Sequence, residues 1–346
     1  MKNNINFFII ILIIFFAQLL NANNLFESTF NKIEFQTNNI EDTKNYHINE
    51  LKIFNLNQIL KNILTNENYK KLRNRIDSQF ADSLIKNIII ENEKIINDRY
   101  SAKVKINYDK KLIINLLRNK KLPYVEYLPD NFLTIILDER VLQQNLFTED
   151  NKYYEYLIKN EQEHLNFYMI PNLDINDRFL INAKNVINKD LKTISKIFNK
   201  YNNRNLILIY SHFESNLYNI EINLINNNSF LFLENLITKD LNYEKFFIYL
   251  KFKVLDAWKS NNFIQNVKVN KIECFVNSLN IYELQKINSL IKSISLIGDY
   301  KLKKIKLYKN LYEISYFGNY DILKKLLVTE LIDINLINDK CEISFK

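Results

Sequence analysis

Three apolar runs separated by asparagine-rich turns make up the stretch Arg204–Ile237, which reads RNLILIYSHFESNLYNIEINLINNNSFLFLENLI. In the first run, NLILIY, apolar side chains occupy both faces of the expected strand, as is typical of a strand that is covered on both sides. The next run, YNIEINL, alternates apolar and polar residues and indicates a half-exposed strand, and INNNS then turns the chain into FLFLENLI. We therefore predict that this stretch is mainly sheet, with a loop at His212.

The segments that precede this stretch alternate between strand and helix patterns. In order, they are the strand NFLTIIL, the helix NKYYEYLIKN, the strand LNFYMI and the helix DLKTISKIFNKY. Such alternation predicts parallel strands joined by crossover helices. A further helix, beginning near Asp240, places Tyr243, Phe247 and Trp258 on one apolar stripe. We predict a middle α/β domain over residues 130–260, a mixed sheet with NLILIY as a central strand.

The segment before this domain has both helical and strand periodicity. Leu51 and Ile63 belong to an apolar face with helical spacing over residues 48–64. The run RYSAKVKINY alternates between apolar and polar residues, as in a strand with one solvent-exposed face. Asp109 is a good N-cap for the helix that follows. We predict an N-terminal α+β domain over residues 28–122, followed by a linker at PYVEYLPD.

Residues 264–346 form the third predicted module. Their patterns run strand, helix, two strands, helix and strand, the split βαβ order of ferredoxin-like domains, with one additional terminal strand. The lysines of KLKKIKLYK favour protection of an edge strand over a binding patch. Cys274 and Cys341 fall in strands that would be neighbours if the last strand paired with the first, and we predict free thiols. The predicted fold class is thus α/β and α+β in three small modules.

The first segment, MKNNINFFIIILIIFFAQLLNAN, has the charge and apolar pattern of a signal peptide over residues 1–22, with cleavage after Ala22. Its apolar run is shorter than the roughly twenty residues that a bilayer-spanning helix needs, although retention as an anchor is the alternative. Charged residues or asparagine interrupt every later apolar run, so no integral membrane domain is expected after the signal peptide. The predicted location is periplasmic or otherwise extracytoplasmic.

Composition excludes several classes of function. The 346-residue chain has a formal charge of +8, but its lysines are spread along the sequence rather than gathered, so we expect no nucleic-acid partner. With only two glycines, a phosphate-binding loop is excluded, and asparagine must serve at tight turns. A nucleophile elbow, paired histidines at helical spacing and a cysteine metal motif are all absent from the sequence. We predict neither a cofactor nor a metal.

Two stretches carry a resemblance to a known family. At YSAKVKINYDKKLIINLL, which a proline and a buried strand follow, and again at IFNKYNNRNLILIYSHF, the chain resembles the bacterial exported domain-of-unknown-function family 2066. The likeness spans roughly Ile48 to Trp258 and implies an exported protein with the same order of elements, without implying an activity. The middle module is also similar to the N-terminal domains of TolB-like periplasmic proteins, which implies a part in envelope assembly or complex formation.

One candidate site follows from the predicted topology. The three strands expected to be parallel end at LDER, MIPNLD and YSHFE, and ligands of open parallel sheets bind outside the carboxyl ends of the strands. Asp138, Glu139, Asp174, His212 and Glu214 should then lie on one rim, where carboxylates and an imidazole can bind a cation or move a proton. The competing interpretation is that these are ordinary polar loops after strands.

The sequence therefore favours a non-catalytic exported binding or assembly protein of the bacterial cell envelope, with a protein partner there. One alternative is an extracytoplasmic enzyme that uses the carboxylate and histidine rim. Another is a membrane-anchored envelope protein that retains its N-terminal helix.

Overall fold

A computed structural model describes residues 25–129, 131–164, 166–203, 205–226, 229–264, 269–306, 308–337 and 340–345. The predicted signal peptide and its cleavage site after Ala22 lie outside the described residues. The chain forms two compact units. Unit 1 joins the residues up to Tyr127 to those from Asn262 onward, and unit 2 is Leu128–Asn261. Sheets of three, six and five strands with flanking helices confirm the mixed α/β and α+β fold class.

The N-terminal part of unit 1 is a three-stranded antiparallel sheet, ordered β1-β3-β2, with helices. Its elements are β1 (Asn31–Gln36), α1 (Ile40–Ile63), α2 (Asn66–Arg73), α3 (Ser78–Asp82), β2 (Ile85–Ile96), β3 (Arg99–Tyr108) and α4 (Lys110–Asn119). On β3, Ala102, Val104 and Ile106 are buried, which confirms the predicted face. The Asp109 side chain accepts hydrogen bonds from two backbone N–H groups at the start of α4, which confirms its capping role.

Unit 2 contains a six-stranded sheet and seven described helices. Its strands are β4 (Phe132–Arg140), β5 (Gln143–Asn145), β6 (Tyr168–Met169), β7 (Asn205–Glu214), β8 (Leu217–Asn226) and β9 (Ser229–Thr238). Its helices are α5 (Lys152–Lys159), α6 (Glu161–His164), α7 (Ile175–Leu180), α8 (Ala183–Ile187), α9 (Leu191–Ile194), α10 (Lys196–Tyr201) and α11 (Tyr243–Asn262). The main order is β5-β4-β7-β8-β9, and β6 also pairs with β4.

The strand β7 is central, as its two apolar faces predict. It pairs in parallel with β4 and antiparallel with β8, and its residues from Leu206 to Ile209 are buried. The prediction of a loop at His212 is wrong, because β7 continues through His212 to Glu214. Ser215 and Asn216 both have positive φ, which lets a two-residue turn connect β7 to β8 while the strands stay paired to their ends.

The C-terminal part of unit 1 contains the predicted split βαβ arrangement, with the additional strand placed inside the sheet. Its elements are β10 (Val269–Asn277), α12 (Ile281–Ser293), β11 (Ile297–Lys304), β12 (Lys309–Phe317), α13 (Tyr320–Thr329), β13 (Ile332–Ile337) and β14 (Lys340–Phe345). The order is β11-β12-β10-β14-β13, so β14 lies between β10 and β13. The lysine-rich β11 is an edge strand, where charged side chains prevent pairing with other chains.

The prediction of free thiols is wrong. Strands β10 and β14 pair in parallel with Cys274 opposite Cys341, and the two residues form a disulfide with a Cα–Cα distance of 4.4 Å. The strand register brings the Cα atoms to a separation that a disulfide can bridge. Sequence alone did not establish this register.

The two parts of unit 1 share one hydrophobic core. Two charged side chains reinforce it. The Arg118 guanidinium donates to the Ser295 carbonyl at 2.6 Å and stacks on the Phe317 ring. The buried Glu126 carboxylate accepts from the Ser295 hydroxyl and pairs with Lys110 at 3.0 Å. The predicted N-terminal and C-terminal modules thus lie together in unit 1.

Candidate functional site

The carboxyl ends of β4 and β7 bring most of the predicted rim residues together. The two strands are parallel, and their register pairs Asp138 with Ser211 and Glu139 with His212. Successive side chains along a strand point to opposite faces of the sheet. Asp138 and Glu139 therefore lie in two different environments, one on each face.

Along the middle of β4, two side chains from the start of α5 make the backbone hydrogen bonds that a neighbouring strand would otherwise make. The Tyr154 hydroxyl accepts a hydrogen bond from the Ile136 N–H at 2.9 Å and donates one to the Thr134 carbonyl at 3.2 Å. The Asn151 amide donates to the Ile136 carbonyl at 2.9 Å, while its oxygen accepts from the Tyr153 N–H at 3.0 Å and caps α5. Because these buried backbone groups are paired, the strand that carries the site is held in place.

On one face, five side chains form what we call the Glu139 cluster. One oxygen of Glu139 lies 3.1 Å from Nδ1 of His212 and also accepts a hydrogen bond from the Tyr210 hydroxyl. Its other oxygen accepts from the Gln144 amide at 2.6 Å. Nε2 of His212 lies 3.3 Å from a carboxylate oxygen of Glu214. The imidazole is thus held between two carboxylates.

The hydrogen bonds of the cluster keep Glu139 ionised. Burial alone would raise the pKa of Glu139, but the hydrogen bonds from Tyr210, Gln144 and His212 lower that pKa below its ordinary value. Burial and the bond to this carboxylate raise the pKa of Tyr210, so its hydroxyl stays a donor. The side chains of His212 and Glu214 are 36% and 68% exposed, so a ligand can reach the imidazole and the outer carboxylate.

This arrangement can accept hydrogen bonds from a cationic group, and it can pass a proton between the imidazole and a carboxylate. Within the described ranges, no group of three or more His, Cys, Asp and Glu side chains is arranged to hold a metal ion. The two carboxylates of the cluster suit a ligand that donates hydrogen bonds.

On the opposite face, Asp138 is fully buried. One of its oxygens accepts from two nitrogens of Arg140, each at 3.2 Å, and the other has no hydrogen-bond partner among the described residues. Burial raises the pKa of Asp138, although the charge of Arg140 opposes the shift. The neighbouring Ser211 hydroxyl accepts from the Tyr153 hydroxyl at 2.7 Å. Asp138 is thus separated from the exposed cluster by the sheet itself.

The structure does not bring Asp174 to the other predicted site residues. Strand β6 pairs only with Phe132 and Leu133, at the beginning of β4, so its end lies away from the carboxyl end of that strand. Asp174 instead caps α7 by accepting from the Asp177 N–H at 2.9 Å, and it pairs with Lys200 at 3.1 Å. No hydrogen bond or ion pair joins it to the Glu139 cluster in the described part of the chain.

Two members of the cluster were not predicted. Tyr210 precedes His212 by two residues, so strand alternation alone would have placed both on one face. Gln144 lies in β5, which pairs with the end of β4 and sets Gln144 opposite Glu139. A three-residue polar strand leaves no apolar pattern by which the sequence could have revealed it.

Comparisons with known proteins leave the family open. A scan against models of known protein families finds no match. A search of the curated proteins finds no significant match either. Separately, among the residues that the structure describes, we find no helix with the length and apolar character needed to cross a bilayer.

Proposed function

We propose that this chain is an exported, non-catalytic binding or assembly protein of the bacterial cell envelope, located in the periplasm or otherwise outside the cytoplasm. The single observation that carries the proposal is the disulfide between Cys274 and Cys341. Disulfides form and persist in oxidising compartments and are rare in the cytosol. The signal-peptide pattern of residues 1–22 points to the same location.

The Glu139 cluster is the binding surface in this proposal. Its two carboxylates and the imidazole between them suit a lysine or arginine side chain of a protein partner, since such donors make their strongest hydrogen bonds to carboxylates. The lowered pKa of Glu139 favours the same kind of partner. The resemblance to family 2066 agrees with an exported protein and stays a prediction.

Cell fractionation combined with thiol labelling tests the location. Cells are lysed under denaturing conditions with a thiol-labelling reagent, the protein is isolated, and labelled cysteines are counted as free thiols before and after reduction. We expect none before reduction, two after it, and a mature N-terminus just after Ala22. Two free thiols together with a cytoplasmic location would overturn the proposal. A membrane-bound chain that still begins at Met1 would instead support the retained N-terminal anchor.

Site-specific photo-crosslinking tests the binding surface. A photoreactive residue at Leu142, which is highly exposed in the turn after β4, should capture a partner, and the double variant E139Q/H212Q should reduce that capture. The same probe at the exposed Phe252 of α11 is the matched control. If both positions capture the same proteins equally, with or without the cluster, the cluster is not the binding surface.

An extracytoplasmic enzyme is the second candidate, and the contact between Glu139 and His212 favours it. A carboxylate that orients an imidazole is an arrangement found in general acid–base catalysis. A panel of hydrolase substrates would detect such an activity. Turnover that H212Q abolishes while the fold is intact would replace the non-catalytic proposal.

A further inference from the structure

An exposed apolar patch lies at one end of the C-terminal sheet of unit 1. We call it the apolar tip; its members are Leu279, Ile281, Tyr282, Ile305 and Tyr308. These side chains are between 61% and 79% exposed. None of them belongs to the Glu139 cluster.

The apolar tip is built from two connections that the sheet holds side by side. Asn277 at the end of β10 pairs with Lys309 at the start of β12, and the Ser278 N–H donates to the Tyr308 carbonyl at 3.1 Å. The β10–α12 loop and the β11–β12 loop therefore lie next to each other. Large apolar side chains exposed together, rather than singly, mark an interaction site.

The conformation of the tip is fixed by hydrogen bonds. Asn280 caps α12 by accepting from the Glu283 N–H at 2.9 Å, and the Glu283 carboxylate accepts from the Leu279 N–H at 2.7 Å. In the other loop, the Asn310 side chain accepts from the Lys306 N–H at 3.2 Å. The exposed side chains thus project from an ordered support.

Positive charge borders the apolar tip. The segment 301–309 carries five lysines and no acidic residue. Lys303 and Lys309 pair with Glu313 and Glu342, whereas Lys304 and Lys306 make no ion pair with any described residue. Edge protection explains lysines along β11, but it does not explain bulky apolar side chains beyond the end of that strand.

We propose that the apolar tip docks on the surface of an anionic phospholipid bilayer. Aliphatic side chains with lysines around them bind such surfaces, because the side chains enter the acyl boundary while the lysines meet lipid phosphates. Tyr282 and Tyr308 suit the interface, since a tyrosine ring has an apolar body and a polar end. The charge favours a bilayer that contains anionic lipids over one that is neutral.

Tryptophan scanning on the full chain tests the contact. Tyr308→Trp places a reporter in the tip, and Tyr46→Trp is the matched control, because both tyrosines are 61% exposed and belong to unit 1. With vesicles of phosphatidylcholine and phosphatidylglycerol, the fluorescence emission of Trp at position 308 in Y308W should shift to shorter wavelength and be quenched by brominated lipids. The emission of the reporter in Y46W should show neither change. This comparison separates the tip from any binding through the N-terminal segment. Equal behaviour of the two reporters would overturn the proposal.

Variants then separate the apolar and charged contributions. L279S/I305S should weaken vesicle binding by at least about tenfold, and K304Q/K306Q by about 30-fold, at roughly fivefold for each lysine. The control F179S/F252S removes two exposed apolar side chains of unit 2 and should leave vesicle binding unchanged. Equal binding to neutral vesicles would overturn the anionic assignment. If the variants of the apolar tip bind vesicles as well as the unchanged chain but lose a cross-linked protein, the tip binds a protein partner instead.

Discussion

Different interactions stabilise each of the two units of this chain. Unit 1 is assembled from two separate chain segments and contains both cysteines, joined by a disulfide across β10 and β14. Unit 2 is one continuous segment without cysteine, and its sheet depends on buried polar side chains such as Asn151 and Tyr154. A reductant should therefore weaken one unit, and loss of a buried hydroxyl should weaken the other.

The sequence supplies a probe that separates the two units. Trp258 is the single tryptophan of the chain, and it is buried in unit 2. Its fluorescence therefore reports the unfolding of unit 2. Hydrogen exchange read by mass spectrometry on β10 and β14 reports unit 1. Each variant below is expected to move one of these signals and to leave the other unchanged.

The largest effect is expected from removal of the disulfide. The bridged cysteines are 67 residues apart, and closing a loop of that length should stabilise unit 1 by about 4 kcal/mol. C274A/C341V should therefore accelerate exchange in β10 and β14 and leave the Trp258 transition in place. If the Trp258 transition falls by the same amount, the two units are not independent in stability.

Loss of the Tyr154 hydroxyl should give the next largest effect, and in unit 2. Y154F leaves the Ile136 N–H and the Thr134 carbonyl without their buried partner, which should cost about 3 kcal/mol. Y153F is the matched control; it removes only the bond to Ser211 and should cost about 1 kcal/mol. Denaturant titration followed by Trp258 fluorescence measures both. Equal costs would mean that Tyr154 does not substitute for a strand beside β4.

The opposite pKa shifts of Asp138 and Glu139 predict opposite effects of pH on unit 2. The pKa of Asp138 is raised, so its stabilising contribution is present below the ordinary aspartate pKa and is lost as pH rises through the raised value. The pKa of Glu139 is lowered, so its contribution is present above the ordinary glutamate pKa and is lost as pH falls through the lowered value.

Trp258 unfolding transitions across acidic pH test these signs. Asp138 makes unit 2 less stable as pH rises, and D138N should abolish this fall. Glu139 makes unit 2 more stable as pH rises, and E139Q should abolish this increase. Each contribution changes the free energy of unfolding by at most about 1.4 kcal/mol per pH unit. If both substitutions change the pH dependence of stability in the same direction, Asp138 and Glu139 do not lie in two different environments. Exchange in unit 1 serves as the internal reference.

The smallest effect is expected at Asp174, which lies in unit 2 but outside the Glu139 cluster. D174A removes the cap of α7 and should destabilise unit 2 by about 1 kcal/mol, whereas D174N keeps an accepting oxygen and should cost little. Cross-linking at Leu142 should not change in either variant. If either variant loses that cross-linking, Asp174 is part of the binding surface.

The parts of the fold that sequence predicted are those with strong local patterns. The two-faced apolar run of β7 and the Asp109 cap of α4 are examples, because each depends on residues a few positions apart. The shared core of unit 1 and the insertion of β14 depend on contacts between distant segments, and so does the register that joins the cysteines. Periodicity carries no information about such contacts.

The candidate site shows the same limit. Glu139 and His212 were predicted together because parallel strands end at one edge, and the structure places them 3.1 Å apart. Asp138 does not join them, because neighbouring residues of a strand lie at nearly the same level but point to opposite faces of the sheet. Asp174 was misplaced because β6 pairs with so little of β4.

The place of β14 in the chain has a consequence for the order of folding. Proteins are synthesised and exported from the N-terminus, and domains generally fold as units as they emerge. Unit 2 is continuous, so it can fold before β10 has appeared. The core of unit 1 also needs β14, which follows every residue of unit 2. The shared core of unit 1 is therefore completed only when the last strand has been made, and the apolar surface that the N-terminal segment contributes to it stays uncovered until then.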